Sequence, residues 1–229
     1  MKTYFQNTVV FLEHGFLVMC NLANLRRPPE KFTTHPKKCK FSVTNNFRPM
    51  SALSMNETIR HVTKADAKAL LDIYSYYVKN TAITFEYEIP TLEEFEKRIE
   101  TITQKYPYLC IEKDGRILGY AYASTFKPRE AYKWNVELSI YVDRGTVGKG
   151  LGRRLYEALE KELKAMGIIN LYACIGVPNG EDDEYLTHNS EQFHEHLGFK
   201  TVGTFRNCGK KFNRWYAMIW MEKVIGEHV

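Results

Sequence analysis

The sequence has no apolar run that approaches the roughly 18 to 20 residues of a membrane-spanning helix, so no membrane partner is expected. It also has no CxxC pair, and its five cysteines are scattered over 229 residues. An odd, dispersed set of cysteines indicates reduced thiols and a cytoplasmic location, and it argues against a disulfide framework or a zinc site. The seven histidines show no metal-ligand spacing, so no metal is expected. A hydrophobic content of 44% argues against global disorder.

Acidic side chains are scarce in the first 54 residues, which carry eight lysines and arginines against Glu13 and Glu30. The net charge of +5 therefore resides in this segment, and the remainder shows no electrostatic footprint for nucleic acid. Because the segment also lacks periodicity, we predict residues 1–54 to be a disordered or dispensable leader and residues 55–229 to be the functional domain. A secretory signal fits poorly, since Glu13 and His14 interrupt its apolar stretch. An organellar transit peptide and a nucleic-acid-binding role for this leader stay open.

The remaining sequence predicts a mixed α/β (α+β) domain with one central sheet. Thr63 and Asp66 form a capping-box pattern that predicts a helix start. Asp114-Gly115 predicts a hairpin turn, and leucines at every fourth position of residues 150–166 predict an amphipathic helix. Along the chain, these patterns predict the order βααβββαβαββ.

The strongest chemical signal is a glycine-rich turn, residues 143–153, between a long strand and this helix. Gly148, Gly150 and Gly152 let the backbone approach a phosphate, which the N–H groups of the helix N-terminus can then bind. The spacing differs from a Walker A loop, because no Gly-Lys-Ser/Thr ends it. On its own, the turn predicts a pyrophosphate site, with an ordinary strand-to-helix turn as the alternative.

This turn, after the fourth strand of such an order, resembles the loop of the GNAT acetyltransferase superfamily, whose signature is Q/R-x-x-G-x-G/A. Gly150 and Gly152 match its two small positions, whereas Val147 replaces the usual Gln or Arg. The resemblance implies the GNAT fold, a mixed and mostly antiparallel sheet flanked by helices, with acetyl-CoA as co-substrate. It also implies a set of cofactor-binding residues. They are Ile140, Tyr141, Val142, Val147, Gly148, Lys149, Gly150, Leu151, Gly152, Arg153, Asn179 and Ser190.

Within the superfamily, residues 84–222 resemble the phosphinothricin N-acetyltransferases and the related amino-acid sulfone and sulfoximine acetyltransferases. The matching motifs are local and ordered, among them KYPY at 105–108, KPREAYKW at 127–134 and FHEHLGF at 193–199. An acidic insertion, GEDDEYLTH at residues 180–188, departs from the pattern. It either covers the substrate site or loops out.

Two residues are candidates for proton transfer. Glu137 is a polar break in an apolar strand, where burial would raise its pKa and suit a general base. An outward-facing strand residue is the alternative, and the family resemblance favours the base. His194 lies beside the face that Phe193 and Leu197 form on a short helix, and the resemblance makes it a second catalytic group. A surface or structural histidine is the alternative there.

Lys127, Arg129 and Tyr132 lie on the connection that precedes the long strand, and loops held by a sheet commonly carry binding groups. A guanidinium fork with an added ammonium suits a carboxylate or phosphinate. A solvated basic loop is the alternative. Phe85 is a candidate wall of the substrate pocket, with a core position as the alternative.

Together these observations predict an acetyl-CoA-dependent N-acetyltransferase that acts on the amino group of a small, anionic, amino-acid-like acceptor. The family resemblance implies a cytoplasmic homodimer. Because the acidic insertion could hold cations, a polyamine, lysine or protein N-terminus is the alternative acceptor. A non-catalytic acyl-CoA-binding sensor is a further alternative.

Overall fold

The fold is built around a seven-stranded sheet, seen in a computed structural model that describes residues 57–228. Strands and helices follow the predicted order βααβββαβαββ, and the sheet order is β1-β2-β3-β4-β5-β7-β6. The strands are β1 (Thr58–His61), β2 (Tyr108–Lys113), β3 (Arg116–Thr125), β4 (Asn135–Val142), β5 (Asn170–Val177), β6 (Lys200–Lys211) and β7 (Arg214–Val224). The helices are α1 (Ala67–Asn80), α2 (Leu92–Thr103), α3 (Leu151–Ala165) and α4 (Asn189–His196). The predicted leader, residues 1–54, lies outside the described residues.

One parallel pair interrupts an otherwise antiparallel sheet, as the resemblance implied. Strands β4 and β5 run parallel and pair only at Asn135 with Asn170, Val136 with Leu171 and Glu137 with Tyr172. Both strands continue, to Val142 and Val177, without further pairing to each other within residues 57–228. The two strands therefore separate after Glu137 and leave a cleft in the sheet.

The two faces of the sheet carry different helices. On one face, the predicted leucine stripe of α3 is buried, and Ile140 of β4 lies beneath Gly152 of α3. On the other face, the ring of Tyr141 contacts Tyr74 and Tyr77 of α1, at centroid distances of 5.0 and 5.3 Å. Since side chains alternate along a strand, Glu137, four residues before Tyr141, faces the α1 side.

Strand β6 is longer than the sequence predicts, because pairing with β7 resumes at Gly209 after a register shift beyond Phe205. Glycine is required at 209, since a Cβ there would lie only 2.1 Å from the ring of Phe85. At its end, the buried Lys211 donates through Nζ to the carbonyls of Val78 and Thr84, at 2.8 and 2.7 Å. The hairpin thereby fixes the connection between α1 and α2.

None of the helices among residues 57–228 is both long and apolar enough to cross a membrane.

Candidate active site

Glu137 stands at the point where β4 and β5 separate. Its side chain is buried, with 5% of the residue exposed, and Oε1 has no hydrogen-bond partner among the described residues. Burial raises the pKa of this carboxyl to about 8, against a smaller lowering effect of the Lys127 ammonium. A buried, unpaired carboxylate with a pKa near neutrality is suited to accept a proton at the cleft.

The exposed Lys127 lies against two aromatic rings and is close enough to Glu137 to lower the pKa of its carboxyl. Lys127 Nζ lies 5.0 Å from the ring centre of Phe126 and 5.7 Å from that of Trp220. The ring of Phe126 also stacks on Tyr172, the β5 partner of Glu137, with centroids 4.3 Å apart. These contacts hold an ammonium close to the proposed base, as cation–π attraction allows.

The other predicted substrate residues fall into two places. Tyr132 lies on the same connection as Lys127, with its ring 6.0 Å from Phe126, and Arg129 is exposed there. Phe85 arrives from the connection between α1 and α2 and packs on Tyr216 of β7, with ring centres 6.3 Å apart. Lys127 and Tyr132 therefore share one cluster, and Phe85 belongs to another.

The predicted phosphate turn borders a pocket of about 220 Å³ at the N-terminus of α3. Gly148 and Gly150 have φ angles of +86° and +75°, which a side chain would strain. A Cβ at Gly152 would lie 3.1 Å from the ring of Phe193, so glycine also permits close packing of α3 on α4. Amide groups and the helix dipole at this end suit a pyrophosphate. The lining residues are Val142, Thr146, Val147, Gly148, Gly150, Leu151, Gly152, Arg153, Phe193 and His196.

Five predicted cofactor residues lie outside this lining. Ile140 is buried under α3, and the side chain of Tyr141 points to α1, so only its backbone can face the cleft. Lys149 is exposed on the turn. Asn179 donates through Nδ2 to Asn207 Oδ1 and to the carbonyl of Trp215, which ties the end of β5 to the β6–β7 hairpin.

His194 is fully buried between α4 and α3. Its Nδ1 lies 2.8 Å from the carbonyl of Ser190, the remaining predicted cofactor residue, and its Nε2 lies 3.0 Å from the hydroxyl of Tyr156. A carbonyl only accepts, so Nδ1 carries the proton and Nε2 accepts from Tyr156. Burial lowers the pKa of His194 to about 4, partly opposed by the Ser190 hydrogen bond. The imidazole is therefore neutral at pH 7.

Tyr156 is the residue that sequence reasoning missed. It lies on α3 directly after Leu155, and it is buried against His194, Phe193 and Phe199. The only sequence signal is a hydroxyl next to the leucine stripe, because its partner is 38 residues further along the chain.

A larger cavity, of about 640 Å³, lies between α1 and the β2–β3 turn, and none of the predicted site residues lines it. Its charges are largely neutralised within the fold, since Arg60 pairs with Asp66 and Arg116 with Asp143. This cavity is larger than the pocket at α3, but the buried carboxyl of Glu137 and the glycine turn make the cleft between β4 and β5 the candidate site.

Comparisons with known proteins show what the whole domain is similar to. The model of the acetyltransferase (GNAT) domain matches residues 59–220. A phosphinothricin N-acetyltransferase of Streptomyces viridochromogenes is 36% identical over 158 residues, which cover 69% of this chain and 82% of that protein. An L-methionine sulfoximine/L-methionine sulfone acetyltransferase of Pseudomonas aeruginosa is 32% identical over 170 residues, which cover 73% of this chain and 94% of that protein. The solved structure of a phosphinothricin acetyltransferase of Sinorhizobium meliloti, in complex with acetyl-CoA, is 32% identical in sequence and has a TM-score of 0.66. The match covers 75% of this chain and 90% of that chain.

The raised pKa of Glu137 predicts a pH-dependent effect on stability. The pKa of the Glu137 carboxyl is about 8 in the folded chain, compared with its ordinary value of 4.5. Folding is therefore favoured while the carboxyl is protonated, and this contribution to the free energy of unfolding is lost as pH rises from 4.5 through 8. Glu137→Gln mimics the protonated form. We expect it to match the wild type at pH 4.5 and to be more stable by on the order of 3 kcal/mol at pH 9.

Urea unfolding of the unliganded protein at both pH values measures this difference. Glu88→Gln, at an exposed carboxylate, is the control and should show no such pH dependence. An equal effect of Glu137→Gln at both pH values would contradict the raised pKa.

Proposed function

The chain belongs to the GNAT acetyltransferase family, and we propose that it transfers acetyl from acetyl-CoA to the amino group of a small, anionic, amino-acid-like acceptor of the phosphinothricin or methionine sulfone and sulfoximine type. The observation that carries the proposal is the buried, unpaired carboxylate of Glu137 at the cleft between β4 and β5. A catalytically silent sensor would have no use for such a carboxylate.

Glu137 acts as the general base. A primary amine is mostly protonated at pH 7, and it must lose a proton before it can attack a thioester. With a pKa of about 8, Glu137 takes this proton directly or through a water molecule, and the amine then attacks the acetyl carbonyl. Acetyl-CoA supplies the acetyl thioester, and the amides of residues 147–153 at the start of α3 would hold its pyrophosphate.

Positive charge beside Glu137 favours an anionic acceptor. Lys127 lies next to the base, and the exposed Arg129 on the same connection offers a bidentate partner for a carboxylate or phosphinate. A polyamine would instead need unpaired carboxylates near the base. Asp183 and Glu184 of the insertion both pair with Arg214, which leaves them poorly suited to bind a polyamine.

His194 acts together with Tyr156. The neutral imidazole carries its only N–H proton on Nδ1, towards the Ser190 carbonyl, and accepts from the Tyr156 hydroxyl at Nε2. It therefore has no proton to deliver to the departing thiolate, and it acts by orienting the hydroxyl. This role predicts that His194→Ala and Tyr156→Phe both lower kcat; an unchanged kcat in Tyr156→Phe would contradict it.

The cofactor assignment predicts that Gly150→Val weakens acetyl-CoA binding sharply. Gly150 has a φ of +75°, so a β-branched residue distorts the turn at the point where pyrophosphate must approach. Gly115→Val is the matched control, because Gly115 has a φ of +77° in the distant β2–β3 turn. Isothermal titration calorimetry should show wild-type affinity in the control only. Equal affinity in a folded Gly150→Val protein would remove the turn from the cofactor site.

The catalytic assignment predicts that Glu137→Gln lowers kcat/KM by about 10²–10⁴ with acetyl-CoA affinity nearly unchanged, because only the proton acceptor is lost. The loss should shrink as pH rises above about 8, where Glu137 is already ionised and further free amine becomes available. Because Glu137 and His194 would serve one step, the double variant should lose less than the product of the single losses.

A thiol-release assay over amino acids, sulfones, sulfoximines, phosphinothricin, polyamines and N-terminal peptides measures these values and identifies the acceptor class. Glu86→Gln is the control, since Glu86 is half-buried on the same side but pairs with Arg98. Full activity of Glu137→Gln at pH 7 would refute the mechanism. Turnover of polyamines alone would refute the anionic acceptor.

We also propose that the protein is a homodimer. Strand β6 ends the sheet with 12 residues, and Val202, Phe205 and the neighbouring Trp215 are 51%, 53% and 55% exposed. A long edge strand with exposed apolar side chains is a liability that proteins normally cover. A second copy paired along this edge would cover it.

Sedimentation equilibrium at micromolar concentration should therefore give twice the mass of the chain. Phe205→Asp should shift the mass towards a monomer, because it places a charge in the proposed interface. Met166→Asp, at an exposed apolar residue after α3, is the control and should remain dimeric. A monomeric wild type would exclude the proposal.

A further inference from the structure

The acidic insertion, residues 180–188, is a folded part of the domain. Asp183 organises it, since one carboxylate oxygen accepts from the backbone N–H groups of Tyr185 and Leu186, each at 2.8 Å. Leu186 is buried, and the carboxylate of Asp182 accepts from the backbone N–H of His188 at 2.8 Å. The insertion therefore does not loop out into solvent.

The insertion also joins two segments that are distant in sequence. The carbonyl of Tyr185 accepts from the backbone N–H of Ala82 at 3.0 Å, which attaches the insertion to the connection between α1 and α2. The ring of Tyr185 stacks on Phe212 of the β6–β7 turn, with centroids 4.2 Å apart. Asp183 and Glu184 pair with Arg214 of β7 at 3.3 and 2.8 Å.

One contact links the insertion to the predicted pocket wall. The second oxygen of Asp183 accepts from the hydroxyl of Tyr216 at 3.1 Å, and Tyr216 is almost completely buried. The ring of Tyr216 packs on Phe85. Phe85 also lies against Gly209, which is the β6 partner of Tyr216. Asp183 thus fixes the tyrosine on which Phe85 rests.

This wall lies on the face of the sheet that carries Glu137. Tyr172, the β5 partner of Glu137, pairs with Glu222 of β7, and Tyr216 is six residues before Glu222. Side chains that are an even number of residues apart point to the same face, so Tyr216 and Glu137 share a face. Phe85, which packs on Tyr216, therefore lies on the face of the sheet that carries Glu137.

We infer that Asp183 is a positioning residue for the acceptor, which holds Tyr216 and Phe85 in place so that the pocket wall fits the acceptor side chain. The inference rests on the proposed function. It assigns to the insertion a role in substrate selection, exerted through a hydrogen bond rather than through direct contact with the acceptor.

Two variants disturb this contact from either side. Tyr216→Phe deletes the hydroxyl alone, and Asp183→Asn keeps the shape of the side chain but replaces the charged acceptor with a neutral amide. Tyr216→Phe should raise the KM for phosphinothricin or L-methionine sulfone about five- to tenfold, with kcat and the KM for acetyl-CoA within about twofold of wild type. Asp183→Asn should raise the acceptor KM by less, because the amide can still hydrogen-bond to the hydroxyl. The double variant should be no worse than Tyr216→Phe alone, because both act on the same contact.

Glu184→Gln is the matched control, since Glu184 pairs with the same arginine without contacting Tyr216. It should keep the wild-type KM values. Hydrogen–deuterium exchange should also show faster exchange in residues 81–86 for Asp183→Asn and Tyr216→Phe, but not for Glu184→Gln.

The results of these experiments distinguish a failure of the proposed function from a failure of the inference about Asp183. A wild type that acetylates none of the amino-acid acceptors would overturn the proposed function and this inference with it. An active wild type with unchanged acceptor KM in folded Tyr216→Phe and Asp183→Asn would overturn the inference alone. So would equal increases in the KM values for acceptor and acetyl-CoA, which indicate general loosening of the fold. If Asp183→Asn does not fold, Tyr216→Phe decides.

Discussion

The separation of β4 from β5 after Glu137 is the constraint on which the site depends. Strand β4 stays paired with β3 from Val136 to Val142, and β5 stays paired with β7 along its whole length, while the two strands pair with each other only at three positions. The cleft that results ends at the glycine turn, where α3 begins. Strand β4 therefore carries the proposed base where the cleft begins, and it leads into the proposed phosphate pocket where the cleft ends.

This arrangement carries costs that the rest of the fold must offset. A carboxylate buried without a hydrogen-bond partner is destabilising, as are glycines, which lose much conformational freedom on folding. The offset comes from the leucine stripe of α3 on one face and the tyrosine cluster around Tyr141 on the other, which anchor β4 from both sides. Strand β4 can hold a destabilising buried carboxyl because both of its faces are packed against helices.

Much of the fold was predictable because its signals are local. The element order, the Asp114-Gly115 hairpin and the glycine turn each rest on residues close together in the chain. The burial of Glu137 was not fixed by alternation, which left an outward-facing residue open, and it arises because both faces of β4 are covered in the fold. The extension of β6 was not predictable, because it depends on a register shift against β7. Nor was the pairing of Tyr156 with His194, which needs two helices brought together by the sheet.

The insertion shows why charge in a sequence does not by itself indicate a ligand. Its acidic run suits a cation when it is considered alone. In the fold, Asp183 satisfies two backbone amides and a tyrosine hydroxyl, and Arg214 pairs with both Asp183 and Glu184. Lys127, by contrast, is one of several basic loop residues in the sequence. In the fold it is close enough to the buried Glu137 to lower the pKa of that carboxyl. The proposal of an anionic acceptor therefore rests on the charge that the fold leaves near Glu137 and not on the charge of the insertion.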